Sequence, residues 1–416
     1  MSSETLITAP QHEITTADYI KSIAARSLNV VDKLRAAALR PDAHKRLDIR
    51  IGIEEVARLL DCSAPRIRDA EADGRLPPAE TGENGRRLGY TVSDLWNMRE
   101  VLNASPRRPE HIRPTILAVQ NFKGGVGKST ISVHLSHYLA IKGYRILVID
   151  CDSQATTTTC FGLDPHLFVE QSETLYPFLS IEKEQSSLHY AIQKTSWPNI
   201  DIIPSMQGLY DAEYELAATS GKGGSILLDR LSQLKEGVEE VATNYDIVIL
   251  DPPPALGTLS IAVMRAANSL LVPLAATMPD YTSTAKFLDM LGVVAEDLEE
   301  ASNRANLDVA MNMDFISVIC SKFNTNDKSQ QNMFSKVLKT GFGAELLSTP
   351  VLESAEISHA LSRWKSVYEL TRPIGASKTY KRCRENLDDA FANVEKEILL
   401  SWAGDPIENI VRSSQP

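Results

Sequence analysis

No stretch of this chain comes near the roughly eighteen consecutive apolar residues that a membrane-spanning helix requires. The opening MSSETLITAP also lacks the basic and then apolar layout of a signal peptide. The expectation is a cytoplasmic protein with no membrane partner. Cysteine is scarce: Cys62, Cys151, Cys160, Cys320 and Cys383 are scattered and form no CxxC pair, which argues for free thiols over disulfides or a zinc site. Missing too is the positive excess with which a protein coats nucleic acid in bulk, since the formal net charge is −11. Local basic patches are not excluded. Between Lys45 and Arg113 thirteen Lys and Arg stand against twelve Asp and Glu, so the acidic excess lies elsewhere and this near-neutral segment reads as a domain.

At 416 residues, 43% hydrophobic and 23% charged, the chain has a globular composition and length for two or more folding units. Residues 15–39 carry Ile20, Ile23, Leu28, Val31, Leu34 and Ala38 at mostly three- and four-residue spacing, which predicts one amphipathic helix ended by Pro41. Two readings fit it, a helix packed on its own chain and a dimerisation helix, and the segment 1–44 is assigned to the second. From Ile51 the sequence predicts two short helices joined by a tight turn. Ala57 allows close approach, Asp61 tolerates a left-handed turn, Ser63 caps the second helix and Ile67 supplies its core. A hairpin-like wing, TGENGRRLGYT, and a helix over 93–102 follow. This pattern resembles the winged helix-turn-helix of the MerR type. The resemblance implies that 45–108 binds DNA, with Arg66 and Arg68 on the helix that enters the major groove and Arg86 and Arg87 in a wing against phosphates. A small helical domain with solvated arginines is the plainer alternative. Prolines 106, 109 and 114 mark a linker.

The run TILAVQ over 115–120 suits a buried strand, NFKGGVGKST follows it, and ISVHLSHYLAIKGY then has helical spacing up to Gly143. Strand, glycine loop and helix are the context in which a phosphate-binding loop is credible. Gly124, Gly125 and Gly127 let backbone N–H groups turn toward phosphate oxygens, with Val126 between them. Lys128 neutralises the outer phosphates, Ser129 offers a hydroxyl to Mg²⁺, and with Thr130 it opens a helix whose positive end faces the same charge. Two further apolar strands end in carboxylates: RILVID, continuing into CDSQAT, brings Asp150 and Asp152, and YDIVILD brings Asp251.

Phe122 stands where the usual motif has a glycine, and Lys123 is added beside it. KGGVGKS thereby resembles the deviant Walker A motif of the ATPases that include ParA-type partition proteins, MinD, the nitrogenase iron protein and the arsenite pump. The resemblance implies that Lys123 reaches across a nucleotide-sandwich homodimer to the partner's phosphates, that Asp152 orients the attacking water, and that Asp251, with Asp150 nearby, holds Mg²⁺. There is no cysteine just beyond Asp251, no basic amphipathic C-terminus, and only one KGGVGKS. These absences set aside the iron protein, MinD and the doubled arsenite pump in turn. NFKGGVGKST, ETLYPFL, YDIVILDPPPALG, SKFNTNDKSQQNMF and PVLESAEISHALSRWKSVYEL resemble, in order, the large ParA type of the RepA proteins of RepABC plasmids. CDSQ in place of the commoner DLDPQ wording departs from it.

The expected architecture is therefore α/β: a P-loop NTPase over 115–405 with a mostly parallel twisted sheet, preceded by the helix and the winged domain and followed by a tail, 406–416. The resemblance implies slow ATP hydrolysis and an ATP-bound dimer on nonspecific DNA, released when a ParB- or RepB-type centromere-binding partner stimulates turnover. It also implies operator binding for autorepression and a nucleoid-associated location in the cytoplasm. Nonspecific DNA contacts would lie at Arg363, Lys365, Lys378, Lys381, Arg382 and Arg384, for which a solvated helix face is the plain alternative. Adenine contacts would lie at Pro350 and Val351. A transcriptional regulator that uses the ATPase fold only to sense a nucleotide is the competing reading.

Overall fold

The computed structural model describes residues 15–38, 47, 49–106, 108–180, 185–219, 224–255, 257–305 and 310–404, and the tail expected at 406–416 lies outside them, as do parts of the segment 1–44. The chain divides into two units, Met1–His44 and Lys45–Pro416. The first contains α1 (Thr16–Ala38). Thr15 and Asp18 close its amino end reciprocally: Thr15 Oγ1 donates to Asp18 Oδ2 at 2.7 Å and Asp18 N donates to Thr15 Oγ1 at 3.1 Å. Tyr19, Ile20, Ile23, Leu28, Val30 and Val31 of α1 are exposed.

The second unit opens with α2 (Ile53–Leu59) and α3 (Ala64–Ala72). Asp61, between them, takes a φ of 48°, and Ser63 Oγ caps α3 by accepting from Arg66 N at 3.4 Å. Val56, Ala57 and Ile67 pack inward. A hairpin of β1 (Glu80–Thr81) and β2 (Arg87–Gly89) forms the wing. Helix α4 (Val92–Leu102), with a Thr91–Asp94 capping box, follows the hairpin. Its apolar residues share one core with the large sheet.

That sheet has the order β5-β6-β4-β7-β3-β8-β9. Its strands are β3 (Thr115–Val119), β4 (Ile146–Asp150), β5 (Gln193–Lys194), β6 (Ile200–Ile203), β7 (Ile247–Asp251), β8 (Ser269–Ala275) and β9 (Phe315–Ser321). All pairings are parallel except β5 with β6. Both faces are covered, which is why the strands read as unbroken apolar runs rather than alternating ones. Leu117, Val119, Ile146, Val148, Ile247 and Ile249 face the core shared with the winged segment. Ile116, Ala118, Leu147, Val248 and Leu250 face the helices Leu209–Thr219, Thr258–Ala266 and Met278–Ala305. The first face carries α5 (Lys128–Lys142) and the C-terminal helix Ser377–Ala403. Because β3, β4 and β7 are adjacent and parallel, the three segments that follow their carboxyl ends meet on one edge of the molecule. Among the described residues no helix is long and apolar enough to cross a membrane.

Candidate nucleotide site and nucleic-acid surfaces

The glycine loop begins where β3 ends, and two fully buried amides hold its entrance. Asn121 Nδ2 donates to Pro273 O and to Thr284 Oγ1, each at 2.8 Å, and Asn121 Oδ1 accepts from Lys123 N at 3.2 Å. Gln120 Nε2 donates to Pro253 O at 3.1 Å, across to the segment after β7. Phe122 packs edge-on against Phe287 with centroids 4.6 Å apart. The far side of the loop is tied to β9, whose Ser321 Oγ donates to Val126 O at 2.7 Å. Gly127 is the N-cap of α5 with a φ of 93°, a left-handed conformation that a side chain would strain, and no side chain caps the helix there. The first N–H groups of a fifteen-residue helix thus stand ready for an anion.

The two lysines of the loop differ. Lys123 is exposed, whereas Lys128 is 7% exposed. Burial lowers the Lys128 pKa, while the charges of Asp251 and Asp152 favour its ammonium form. Asp251 and Asp150 are register partners on β7 and β4. Asp251 accepts from Ser132 Oγ at 3.1 Å and from Thr157 Oγ1 at 2.7 Å, and the Ser129 side chain bonds to it as well. Burial raises its pKa, against the pull of those hydroxyls. Asp150 is as deeply buried as Asp251. It is fully buried, with Oδ2 accepting from Thr158 N at 2.8 Å and Thr158 Oγ1 at 2.7 Å and Oδ1 accepting from Asp152 N at 3.1 Å. Burial, and then the neighbouring Asp251, push its pKa up. Asp152 lies at the rim, 9% exposed, with Oδ1 accepting from Gln154 N at 2.9 Å. Its carbonyl accepts from Ser205 Oγ at 2.8 Å.

Beyond β9 lies a cavity of about 240 Å³, lined among others by Asn324, Leu352, Glu353, Ser354 and Arg382. Pro350 and Val351 do not line it. Val351 is buried, its N–H donating to Cys320 O at 2.8 Å and its carbonyl accepting from Phe323 N at 3.0 Å, while Pro350 O accepts from Asn386 Nδ2 at 2.9 Å. They brace the wall that residues 352–354 present. A larger cavity of about 520 Å³, walled by Arg108, Arg113, Glu239 and Asn268, opens at the amino ends of the strands. It is remote from the carboxylates.

Arg66 and Arg68 are exposed on α3, and Arg86 is exposed in the wing. Arg87, named with them and likewise exposed, is also engaged: its guanidinium bonds to Glu71 and, at 2.7 Å, to Tyr90 Oη, tying the hairpin to α3. Near the C-terminus Arg363, Lys365, Lys378 and Lys381 are exposed. Arg382 Nη2 donates to Thr325 Oγ1 at 3.1 Å at the edge of the smaller cavity. Arg384 is turned inward, its guanidinium 4.1 Å from the Tyr368 ring centroid and its Nε 3.5 Å from Asp388 Oδ1. The i,i+4 register that places Arg384 beside Asp388 also points it at the core, which sequence charge alone does not show.

Sequence reading missed Gln120, Asn121, Ser132, Thr157 and Thr158. The polar pair at the strand's end and the run of threonines after Asp152 were the available signals. A sequence profile of the family described as "AAA domain" matches residues 114–303. The chain is 35% identical to protein SopA of Escherichia coli (strain K12) over 333 residues, 79% of this chain and 82% of that one. It is 29% identical over 375 residues to a putative replication protein A of Sinorhizobium fredii (strain NBRC 101917 / NGR234), with 87% and 89% covered. A solved structure described as "Partition Protein" superposes with a TM-score of 0.62 at 18% identity, over 94% of this chain and 100% of that one; a likeness at that identity concerns the fold.

Proposed function

The chain belongs to the ParA family of partition ATPases, a P-loop NTPase, and from that premise we propose that it moves DNA by slow ATP hydrolysis, alternating between an ATP-bound dimer on DNA and a released form. The observation that carries this reading is the convergence of Lys128, Ser129, Asp152 and Asp251 on the bare amino end of α5. The α- and β-phosphates lie on the N–H groups of 124–130, and Lys128 meets the outer charge. The residues fit a hard divalent cation: Ser129 and Asp251 present oxygen donors side by side. Mg²⁺ held there would offset charge on the outer phosphates. Asp150 stands beside the metal site, and both its oxygens also hold the segment that carries Asp152 and Thr158. Asp152 orients the attacking water. Lys123, exposed at the start of the glycine loop, serves the site of the opposite subunit. The base occupies the cavity at 352–354, braced by Pro350 and Val351.

Two DNA-binding modes are proposed. Arg66, Arg68 and Arg86 give the helix-turn-helix an operator surface, and Arg363, Lys365, Lys378 and Lys381 give a separate phosphate-binding surface. The exposed apolar face of α1 suits contact with a second copy. A ParB-type protein is the proposed stimulator, and the cytoplasm around the nucleoid the proposed location. The test is steady-state ATP turnover with and without DNA and the product of the neighbouring downstream gene. Stimulation by both together is expected, and operator binding with no such stimulation would favour a nucleotide-sensing repressor instead. Asp152→Ala keeps nucleotide binding and stops turnover; loss of nucleotide from that variant would show the assigned role to be wrong.

A further inference from the structure

The segment between Asp251 and the helix Thr258–Ala266 is described over residues 252–255 and at Gly257, and both parts are in contact with other elements. Near its start Pro253 O accepts from the fully buried Gln120, the residue just before the phosphate loop. At its end stands Gly257, on which a methyl group would overlap Glu213 Oε1. Glu213 comes from the helix Leu209–Thr219. The approach to that helix is tied to the other carboxylate segment: Ser205 Oγ donates to Asp152 O and Ser205 N to Thr158 Oγ1, both at 2.8 Å. Ser205 and the helix that carries Glu213 thus link the Asp152 segment to Gly257, six residues after Asp251 in the chain.

An acidic group is an awkward choice for this place. Glu213 is half-buried, and burial and then the charge of Asp152 raise its pKa. A neutral side chain of the same reach would pack with less cost. Glu213 Oε1 nevertheless lies against Gly257, the N-cap of the helix Thr258–Ala266, where no side-chain cap hydrogen bond is made.

We propose that Glu213 is a positioning residue for ATP hydrolysis: by packing its carboxylate on Gly257 it fixes the chain where it enters the helix Thr258–Ala266, and so keeps Asp251 and Asp152 in register. This rests on the ATPase reading above. It acts through this segment and touches no phosphate, so its loss should lower kcat and leave nucleotide affinity alone.

The test measures kcat, KM for MgATP and thermal midpoint for the full chain and for Glu213→Gln, Glu213→Ala, Gly257→Ala and the double variant Glu213→Ala/Gly257→Ala. Glu213→Ala and Gly257→Ala should each lower kcat on the order of tenfold, with KM and the thermal midpoint unchanged. The double variant should fall no further than the worse single one, because both substitutions break one contact. Glu213→Gln, which keeps the shape, should retain more activity than Glu213→Ala. The proposal is overturned if kcat of Glu213→Ala stays within about twofold of the parent, if the two losses multiply, or if KM alone changes. If Glu213→Ala fails to fold, Glu213→Gln and Gly257→Ala carry the same comparison. A parent chain that hydrolyses no ATP under any condition would instead remove the ATPase reading.

Discussion

Lys123 and Lys128 are five positions apart in one loop, yet one is exposed and the other buried. Residue types announced both, because a lysine added right after the position where the usual motif has its first glycine is conspicuous in a sequence. Their environments were not legible, since these come from Asp251 on a strand far along the chain. The same holds for α5 itself, where the structure buries two histidines. His134 Nδ1 lies 2.7 Å from Thr130 O and its Nε2 accepts from Val367 N at 3.1 Å, which fixes a neutral ring protonated at Nδ1. Burial lowers its pKa to about 4. The unfolded chain takes up that proton near pH 6.5, so the stabilisation tied to neutral His134 is whole above about 6.5 and is lost as the pH falls toward 4. Glu369, pushed up to about 7 by burial, works with the opposite sign and weakens the fold as the pH rises through that value. Replacing His134 with Gln should therefore shrink the drop in thermal midpoint between pH 7 and pH 5, by about 2 kcal/mol of stability at pH 5. Calorimetry at the two pH values checks this; an unchanged drop would place the acid sensitivity elsewhere.

Elements were easier to read than their joints. The three strands that carry the chemistry stood out as short apolar runs closing in Gln or Asp, and the helix-turn-helix stood out through Asp61 and Ser63, whose backbone and capping roles are local. Where the winged segment meets the ATPase core was not legible, because it depends on one long-range fit. Arg99 of α4 is 2% exposed. It donates from Nη2 to Ile141 O at 2.7 Å and from Nη1 to Ala104 O at 3.0 Å, and burial brings its pKa down to about 10. Its side chain fills the space over Gly143, where a methyl group would lie 2.6 Å from Arg99 Cδ and Nε. Gly143 also has a φ of 108°, so helix end and clamp both demand glycine. Gly143→Ala should cost about 2 kcal/mol or more, read as a lower denaturation midpoint. A neutral result would mean that the clamp is slack.

Across the whole molecule a net charge of −11 coexists with two groups of exposed basic residues, one on α3 and the hairpin and one near the C-terminus. Which arginines are available could not be read from charge alone: Arg87 is spent on Glu71 and Arg384 on Tyr368 and Asp388. The exposed set predicts separable binding. Arg66→Ala with Arg68→Ala should weaken operator binding and leave nonspecific binding mostly intact, measured by titration on operator and scrambled duplexes at one salt concentration. Equal loss on both would contradict two surfaces. The central claim, that one subunit's Lys123 completes the other's phosphate site, is tested most directly by mixing Lys123→Ala and Lys128→Ala proteins and measuring ATP turnover. Each alone should be inactive, and the mixture should regain about a quarter of the parent's activity, since random pairing leaves that share of sites with both lysines. Turnover at the parent rate by Lys123→Ala on its own would contradict the account.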